Sequence, residues 1–518
     1  MQKLPVGIQS FRKIREGGYL YIDKTRYVYE LATQSGYYFL SRPRRFGKSL
    51  LVSTFKELFE GCKELFKGLW IEDHWNWEKT NPVLYIPFSS LGYKDLGLER
   101  ALHRHLDKII EARGFDVEEE SLSQKFEELL KAFAQTEGRV VLLIDEYDKP
   151  IIDYLGEEIA QAKENQQILK NFYSVIKDSD PYIRMVFITG VSKFSRVSIF
   201  SDLNNLNDIT MSPRHSVLLG YTQSELEHFF AGYLSSFAKE NDMDEEQALS
   251  AIKNWYNGYS WDGKNFVYNP FSVLLLFYNG MFSNYWFNTA TPTFLLKLIR
   301  KEIYYDFDGI KVGNTAFDSF DLEHLNIEAL LFQTGYLTIK EYDVKRRLYT
   351  LGYPNQEVKE SMLEYLVDTF SEVPHTQVRS YAFEVADALE QEDLTKVREI
   401  FNVLLYSLPH QLHQETEKFY HAIIHLFFKY MDLDVHSEVN TARGRADTIV
   451  IFDDKVYCFE FKLNQSAHEA LEQIKNRGYA DKYRDTGKKI ILIGVNFSTE
   501  KREVEEFAVE VVKSGKAV

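Results

Sequence analysis

The run Val140-Val141-Leu142-Leu143-Ile144, ending in Asp145-Glu146, is the feature that most constrains how this chain can fold. A strand with one wet face alternates apolar and polar residues. One without alternation is buried on both faces, as in the centre of a parallel sheet covered by helices. Three further strand-like runs lie at 37–40, 82–87 and 185–189, and segments of helical spacing stand at 98–113 and 122–135. Strands alternating with helices predict a parallel α/β sheet for the amino-terminal part of the chain.

Directly after the first strand come Arg42-Pro43-Arg44-Arg45-Phe46-Gly47-Lys48-Ser49 and an apolar-periodic run, 50–59. This is the second half of a P-loop, G-x-x-x-x-G-K-[ST], with Arg42 at the first glycine position. Gly47 permits close backbone approach, Lys48 can reach β and γ phosphates, and Ser49 can hold Mg²⁺. The first N–H groups of the following helix would face the phosphates. Gly-Lys-Ser alone recurs by chance, and a strand ending at a solvated turn would also look like Asp145-Glu146. Together, on an alternating α/β pattern, they predict an ATP site in which Asp145 serves Mg²⁺ and Glu146 the attacking water. Thr189, ending the next strand, stands where a polar group can sense the γ-phosphate or merely cap the chain. Arg42, Arg44 and Arg45 can bind phosphate or pair with nearby acids.

Beyond about residue 215 the pattern turns helical, at 221–234, 243–255, 293–303 and 326–333, with a hairpin signal at Asp262-Gly263. A hairpin at 336–339 and 348–351, followed by a helix at 357–370, predicts a mostly helical, winged-helix-like lid. After a helical connector at 382–408 comes an α-β-β-β-α-β unit: helix 417–431, strands 435–439, 448–452 and 456–461, helix 467–479 and strand 489–495.

Within that unit Asp447 begins one strand, and Glu460-Phe461-Lys462 ends the next. Residues two apart on a strand share a face, so Glu460 and Lys462 point the same way. A two-residue turn at Asp453-Asp454 pairs Phe452 with Lys455 and sets Asp447 opposite Glu460. A three-residue turn sets Asp447 diagonal to Glu460 and Lys462. Either register brings two carboxylates and a lysine together. Two acids sharing Mg²⁺ or Mn²⁺, with a lysine beside the developing charge, form a phosphodiester-cleaving set. The Phe461 carbonyl can add a ligand, and Glu417 is a candidate outer acid for the metal. An ordinary Glu/Lys pair on an exposed strand face is the plain alternative, against which the α-β-β-β-α-β order stands. His421 and His425 lie one helical turn apart, but no third ligand has suitable spacing, so they read as helix-face residues.

Composition sets limits. At 518 residues the chain exceeds one core, and its patterns divide at 1–214, 215–375 and 376–518. A net charge of −16 excludes sequence-independent coating of nucleic acid, which phosphate contacts from basic residues dominate. Residues 381–518 hold 24 acidic and 18 basic side chains, a net charge of −6, so a DNA groove must be local. Arg443, Arg445, Lys475 and Arg477 are its candidates. The two cysteines, Cys62 and Cys458, lack CxxC spacing, which excludes a disulfide framework and favours a reducing compartment. No apolar run approaches the roughly 18 residues a membrane span needs. The amino terminus shows no secretory h-region, so a cytoplasmic protein without membrane attachment is expected. Oligomeric state is not legible.

Leu4-Pro5-Val6-Gly7-Ile8, Tyr21-Ile22-Asp23-Lys24-Thr25, the loop Phe39 through Ser49, Asp145-Glu146-Tyr147-Asp148-Lys149-Pro150 and Trp255-Tyr256-Asn257-Gly258-Tyr259 carry a resemblance. With them the chain closely resembles the divergent bacterial AAA-ATPase-like family, whose members bear a PD-(D/E)XK nuclease-like domain at the carboxyl end. The resemblance implies that Arg at the first P-loop position is usual. It also implies that Asp447, Glu460 and Lys462 correspond to the nuclease Asp, Glu and Lys. Gln473 resembles the glutamine of nucleases related to RecB and the archaeal resolvases, although its spacing to Tyr479 is longer than the commonest version. The function it implies is an ATP-binding and hydrolysing protein whose nucleotide state gates a metal-dependent DNA nuclease. Defence against foreign DNA or its mobility follows by analogy with the domain pairing. The alternative is a nucleotide-dependent switch whose last domain binds DNA or protein without cutting it.

Overall fold

Five parallel strands form the amino-terminal sheet: β1 (Tyr37–Ser41), β2 (Val83–Pro87), β3 (Val140–Asp145), β4 (Ile183–Gly190) and β5 (Leu206–Asp208), in the order β2-β3-β4-β1-β5. Every residue of β3 is buried, as its lack of alternation predicts. The coordinates are a computed structural model. They describe residues 1–512 apart from 35, 157, 194–198, 201–202, 204, 288–292, 303–306, 318–325, 372–374, 407–416, 432–433 and 442–443. At 293–294, 297, 301–302, 371, 375–376, 417–418, 434–441, 444–446 and 485 they describe the backbone alone. The chain divides into two units, Met1–Thr291 with Phe307–Val358, and Pro292–Asp306 with Lys359–Val518. The P-loop region and most of the predicted lid therefore share one unit.

In the first unit the helix Lys48–Phe59 buries Leu51, Val52, Phe55, Leu58 and Phe59 in one cluster with Val141, Leu143 and Phe187 of β3 and β4. Each such side chain contributes roughly 1.5–3 kcal/mol on full burial, which anchors the helix at the end of β1. The helix Leu98–Arg113 has the predicted bounds. The single helix expected at 221–234 is two, Gln223–Phe229 and Ala231–Glu240. A capping box between Thr222 and Glu225 starts the first, and Phe230 leaves helical geometry between them, its ring stacked 5.3 Å from Phe277. The hairpin is β7 (Thr338–Asp343) and β8 (Leu348–Gly352). It is extended by a strand the sequence did not reveal, β6 (Ile310–Gly313), in the order β6-β8-β7. Asp262-Gly263 forms a tight turn in which the Asp262 carboxylate accepts from the Lys264 and Asn265 amides. Only an isolated bridge, Tyr259 to Val267, flanks it.

The second unit holds helices His375–Glu390, Leu394–Tyr406 and Glu417–Tyr430 beside a five-stranded mixed sheet. Its strands are β9 (Asp434–Thr441), β10 (Gly444–Ile451), β11 (Lys455–Leu463), β12 (Lys489–Ser498) and β13 (Glu503–Val512), ordered β13-β12-β11-β10-β9. Only β11 and β12 run parallel. The helix Ala467–Arg477 crosses over between them and buries Leu471 and Ile474 against Cys458, Ile490 and Leu492. It packs so closely that a Cβ on Gly494 would lie 2.0 Å from the Ala467 carbonyl oxygen, so β12 requires glycine there. The added strand β13 escaped sequence reading because its pattern, Glu-Val-Glu-Glu-Phe-Ala-Val-Glu-Val-Val, lacks clean alternation. Its pairing with β12 shifts register at Asn496 and Phe497. No helix among the described residues is long and apolar enough to cross a membrane.

Candidate active sites

The carboxyl ends of β1 and β3 open on the same edge of the first sheet, with β4 between them. A cavity of about 360 Å³ lies there, bordered by Arg44, Arg45, Gly47, Lys48, Ser49, Glu146, Asp148 and Lys149. Its lining also includes the largely apolar residues Pro5, Ile8, Tyr221, Phe271 and Leu274. Gly47, at φ 88°, leads into the helix Lys48–Phe59. The Lys48 ammonium is buried and donates to the Arg42 and Pro43 carbonyls at 2.9 Å each. Burial pushes its pKa down, while the charges of Glu146, Asp145 and Asp148 pull it up.

At the acid turn, Thr189 Oγ1 donates to Asp145 Oδ1 at 2.6 Å, and both residues are buried. Thr189 thus orients Asp145, and both stand behind the residues that line the cavity. Glu146 does line it, in a left-handed conformation at φ 55°. Burial raises its carboxyl above the usual range, and the neighbouring Asp145 charge adds to the rise. Asp148, which sequence reasoning gave no role, accepts from the Val191 amide at 2.9 Å and from the Ser192 amide and hydroxyl at 2.7 Å. It ties the acid turn to the segment after β4. Its only signal in the sequence was a third acid two residues past Glu146.

Arg42 has a different place from the one expected. It is fully buried and absent from the cavity lining. Its guanidinium donates to the carbonyls of Ser41 at 2.9 Å, Thr210 at 2.7 Å and His215 at 3.3 Å, and lies 3.8 Å over the Trp261 ring. Arg42 therefore braces the loop from behind rather than meeting phosphate. Burial brings its pKa down to about 9, against the pull of Asp208 and Asp262. Arg44 and Arg45 do border the cavity, with the Arg45 guanidinium over the Phe271 ring.

In the second unit Ile451 pairs with Val456 and Thr448 with Phe459, and the Phe452 amide donates to the Lys455 carbonyl at 2.8 Å. This is the register of the two-residue turn. One step beyond its last pair, Asp447 and Glu460 stand opposite each other. The Asp447 carboxylate accepts from the Phe461 amide at 2.9 Å. Glu460 is 1% exposed, its Oε1 lies 3.5 Å from Lys462 Nζ, and Gln473 Nε2 donates to that same oxygen. Its other oxygen, Oε2, is buried with no hydrogen-bond partner among the described residues. Burial first, and then the Asp447 charge, raise the Glu460 pKa; Lys462 opposes them. Tyr479 is fully buried, its hydroxyl beside Gln473, so the longer spacing in sequence still brings the tyrosine to the site.

An orphaned, buried carboxylate oxygen facing a second carboxylate fits a hard divalent cation. The donors would be Asp447, Glu460 and the Phe461 carbonyl. His421 and His425 are packed on the sheet: His421 Nε2 is 2.9 Å from Thr448 Oγ1 and 3.1 Å from the Asp447 carbonyl, and its ring lies 5.3 Å from Phe461. Lys475 is engaged by Glu510 at 2.5 Å and Glu472 at 2.9 Å, which takes it out of the expected basic groove. Arg477 shares an open groove with Gln473. The Glu417 and Arg445 side chains, and Arg443 altogether, lie outside the described residues.

Family models match the two stretches of chain that hold these sites. The model of a predicted AAA-ATPase family, AAA-ATPase-like, matches residues 5–200, and that of a PD-(D/E)XK nuclease superfamily domain matches residues 415–507. A protein of Azotobacter chroococcum mcd 1, described as an uncharacterized protein in the vnfD 5′ region, is 42% identical over 524 residues, covering 98% of this chain and 99% of that one. The chain belongs to the predicted AAA-ATPase family with a carboxyl-terminal PD-(D/E)XK domain. For this AAA-ATPase-like chain, the solved structure of the Aeropyrum pernix Orc1 protein in complex with DNA aligns over 66% of its length and 91% of the Orc1 chain. The TM-score is 0.26 and the identity 11%.

Proposed function

We propose that this AAA-ATPase-like protein binds and hydrolyses ATP in its first unit and cleaves DNA with Mg²⁺ or Mn²⁺ in its second, nucleotide state gating the cleavage. The observation that carries the nuclease reading is Glu460. A buried carboxylate with an unmet oxygen is costly to keep, and Asp447 opposite makes its ionisation costlier still, unless a cation completes the site. A bound divalent cation would supply an activated water and neutralise charge on the scissile phosphate. Asp447 and Glu460 would hold it, Gln473 fixes the Glu460 carboxylate, and Lys462 stands beside the developing negative charge. A domain that only bound DNA would have no need of this complete set.

At the P-loop, Lys48 would exchange its two loop carbonyls for phosphate oxygens, with Ser49 and Asp145 as the Mg²⁺ residues. Glu146 faces the cavity where an attacking water would be polarised. The apolar part of the lining is suited to the base. Purified protein incubated with duplex or single-stranded DNA and Mg²⁺ or Mn²⁺, beside Glu460→Ala, tests the nuclease. Cutting that disappears in the variant is expected. No cutting by the unmodified protein under any of these conditions would leave the switch reading.

A further inference from the structure

The conformation of the phosphate loop is held by a residue far along the chain. Trp286 is 1% exposed, and its indole Nε1–H donates to the Arg44 carbonyl at 3.0 Å. The next residue, Arg45, has φ 67°, a left-handed conformation that costs free energy for any residue with a Cβ. These two facts concern one peptide. A trans peptide is planar, so its C=O and N–H point opposite ways. With the carbonyl on Trp286, the Arg45 N–H is directed away from Trp286, which takes no part in lining the cavity that Arg44 and Arg45 border. Turning this peptide over would relieve Arg45 by making its φ negative. It would also exchange an amide hydrogen for a carbonyl oxygen on the side where phosphates are expected.

Trp286 is itself held firmly. Its backbone N–H donates to Glu357 Oε1 at 2.6 Å, and the other oxygen of that fully buried carboxyl accepts from Ser272 at 2.8 Å. Tyr336 and Tyr259 pack on the ring with centroids 5.4 and 6.3 Å away. Gly335 lets the loop settle against this cluster: a Cβ there would sit 2.7 Å from Pro43 and 3.3 Å from Trp286.

We infer that Trp286, seated by Glu357, is a positioning residue for the nucleotide site: its N–H pins the Arg44–Arg45 peptide in the strained orientation that offers an amide to phosphate. The inference rests on the nucleotide-binding reading of this cavity. It predicts a coupling that a packing role for Trp286 does not. Where Arg45 is replaced by glycine, the left-handed conformation carries no Cβ penalty and the pin matters less.

The test is a double-mutant cycle of Trp286→Phe and Arg45→Gly in the full-length chain, with ATP and Mg²⁺ affinity read by calorimetry and folding checked by thermal unfolding. Trp286→Phe keeps the aromatic packing and removes the donor. It is expected to weaken ATP binding about five- to tenfold beside Arg45, and by less than about twofold in the Arg45→Gly background. Equal weakening in both backgrounds, or none in either, would overturn the inference while leaving nucleotide binding intact. No ATP binding by the unmodified protein would overturn both. Should the phenylalanine variant not fold, Trp286→Met, which also lacks the donor, completes the same cycle.

Discussion

Burial holds the Glu357 carboxyl up to about 8, against an ordinary value of 4.5. Between those values the folded chain keeps a proton that the unfolded chain releases, so this group's contribution to stability declines as pH rises through the window. Urea midpoints at pH 5.5 and 8.5 should therefore fall further for the unmodified protein than for Glu357→Gln, which stays neutral; equal falls would contradict the burial account. Glu460 is shifted in the same direction, and it must lose its proton before two carboxylates can hold a cation. Mg²⁺ affinity of the second unit should accordingly rise with pH by up to about tenfold per unit below the raised pKa, measured by titration calorimetry. Gln473→Ala frees the carboxylate that Gln473 now orients and should slow cleavage by about 10–100-fold. A cleavage rate unchanged by that variant would remove Gln473 from the site.

At the scale of elements, the parts of the fold with a strong local code were legible. The apolar run of β3, the helix Leu98–Arg113 and the β7–β8 hairpin stand where periodicity puts them. So do the acid-ended strand, the Gly47-Lys48-Ser49 turn and the Glu460-x-Lys462 strand end. The short strands β5 and β6 were not legible, because three or four residues carry no periodicity. The turn between β10 and β11 left two registers open, since Asp-Asp is not a hairpin dipeptide, and only the pairing of Thr448 with Phe459 decides it. Arg42 is the instructive miss. In sequence it is one of three arginines beside a phosphate motif. Its partners, Thr210, His215 and Trp261, lie so far along the chain that no local rule could reveal them. Arg42→Gly restores the consensus P-loop residue, yet it should destabilise the first unit by about 2–4 kcal/mol, because buried carbonyls lose their donor. Chemical denaturation measures this, and a neutral or stabilising result would refute the bracing role.

Over the whole molecule, a net charge of −16 makes sequence-independent DNA coating the wrong expectation, and the engagement of Lys475 by acids narrows any basic groove further. On the proposed function, affinity for DNA would come from the few cations around Gln473 and from the metal itself, so cleavage should fall only shallowly with added salt, in proportion to the few phosphates those cations meet. The proposed function makes cutting depend on nucleotide state. The measurement that meets it most directly is the rate of Mg²⁺-dependent DNA cleavage with and without ATP, for the unmodified protein, Lys48→Ala and Glu460→Ala. The rate is expected to change on adding ATP, to lose that response in Lys48→Ala, and to be abolished in Glu460→Ala. Cleavage indifferent to ATP in a protein that binds it would contradict the gating, and ATP binding without any cleavage would contradict the nuclease.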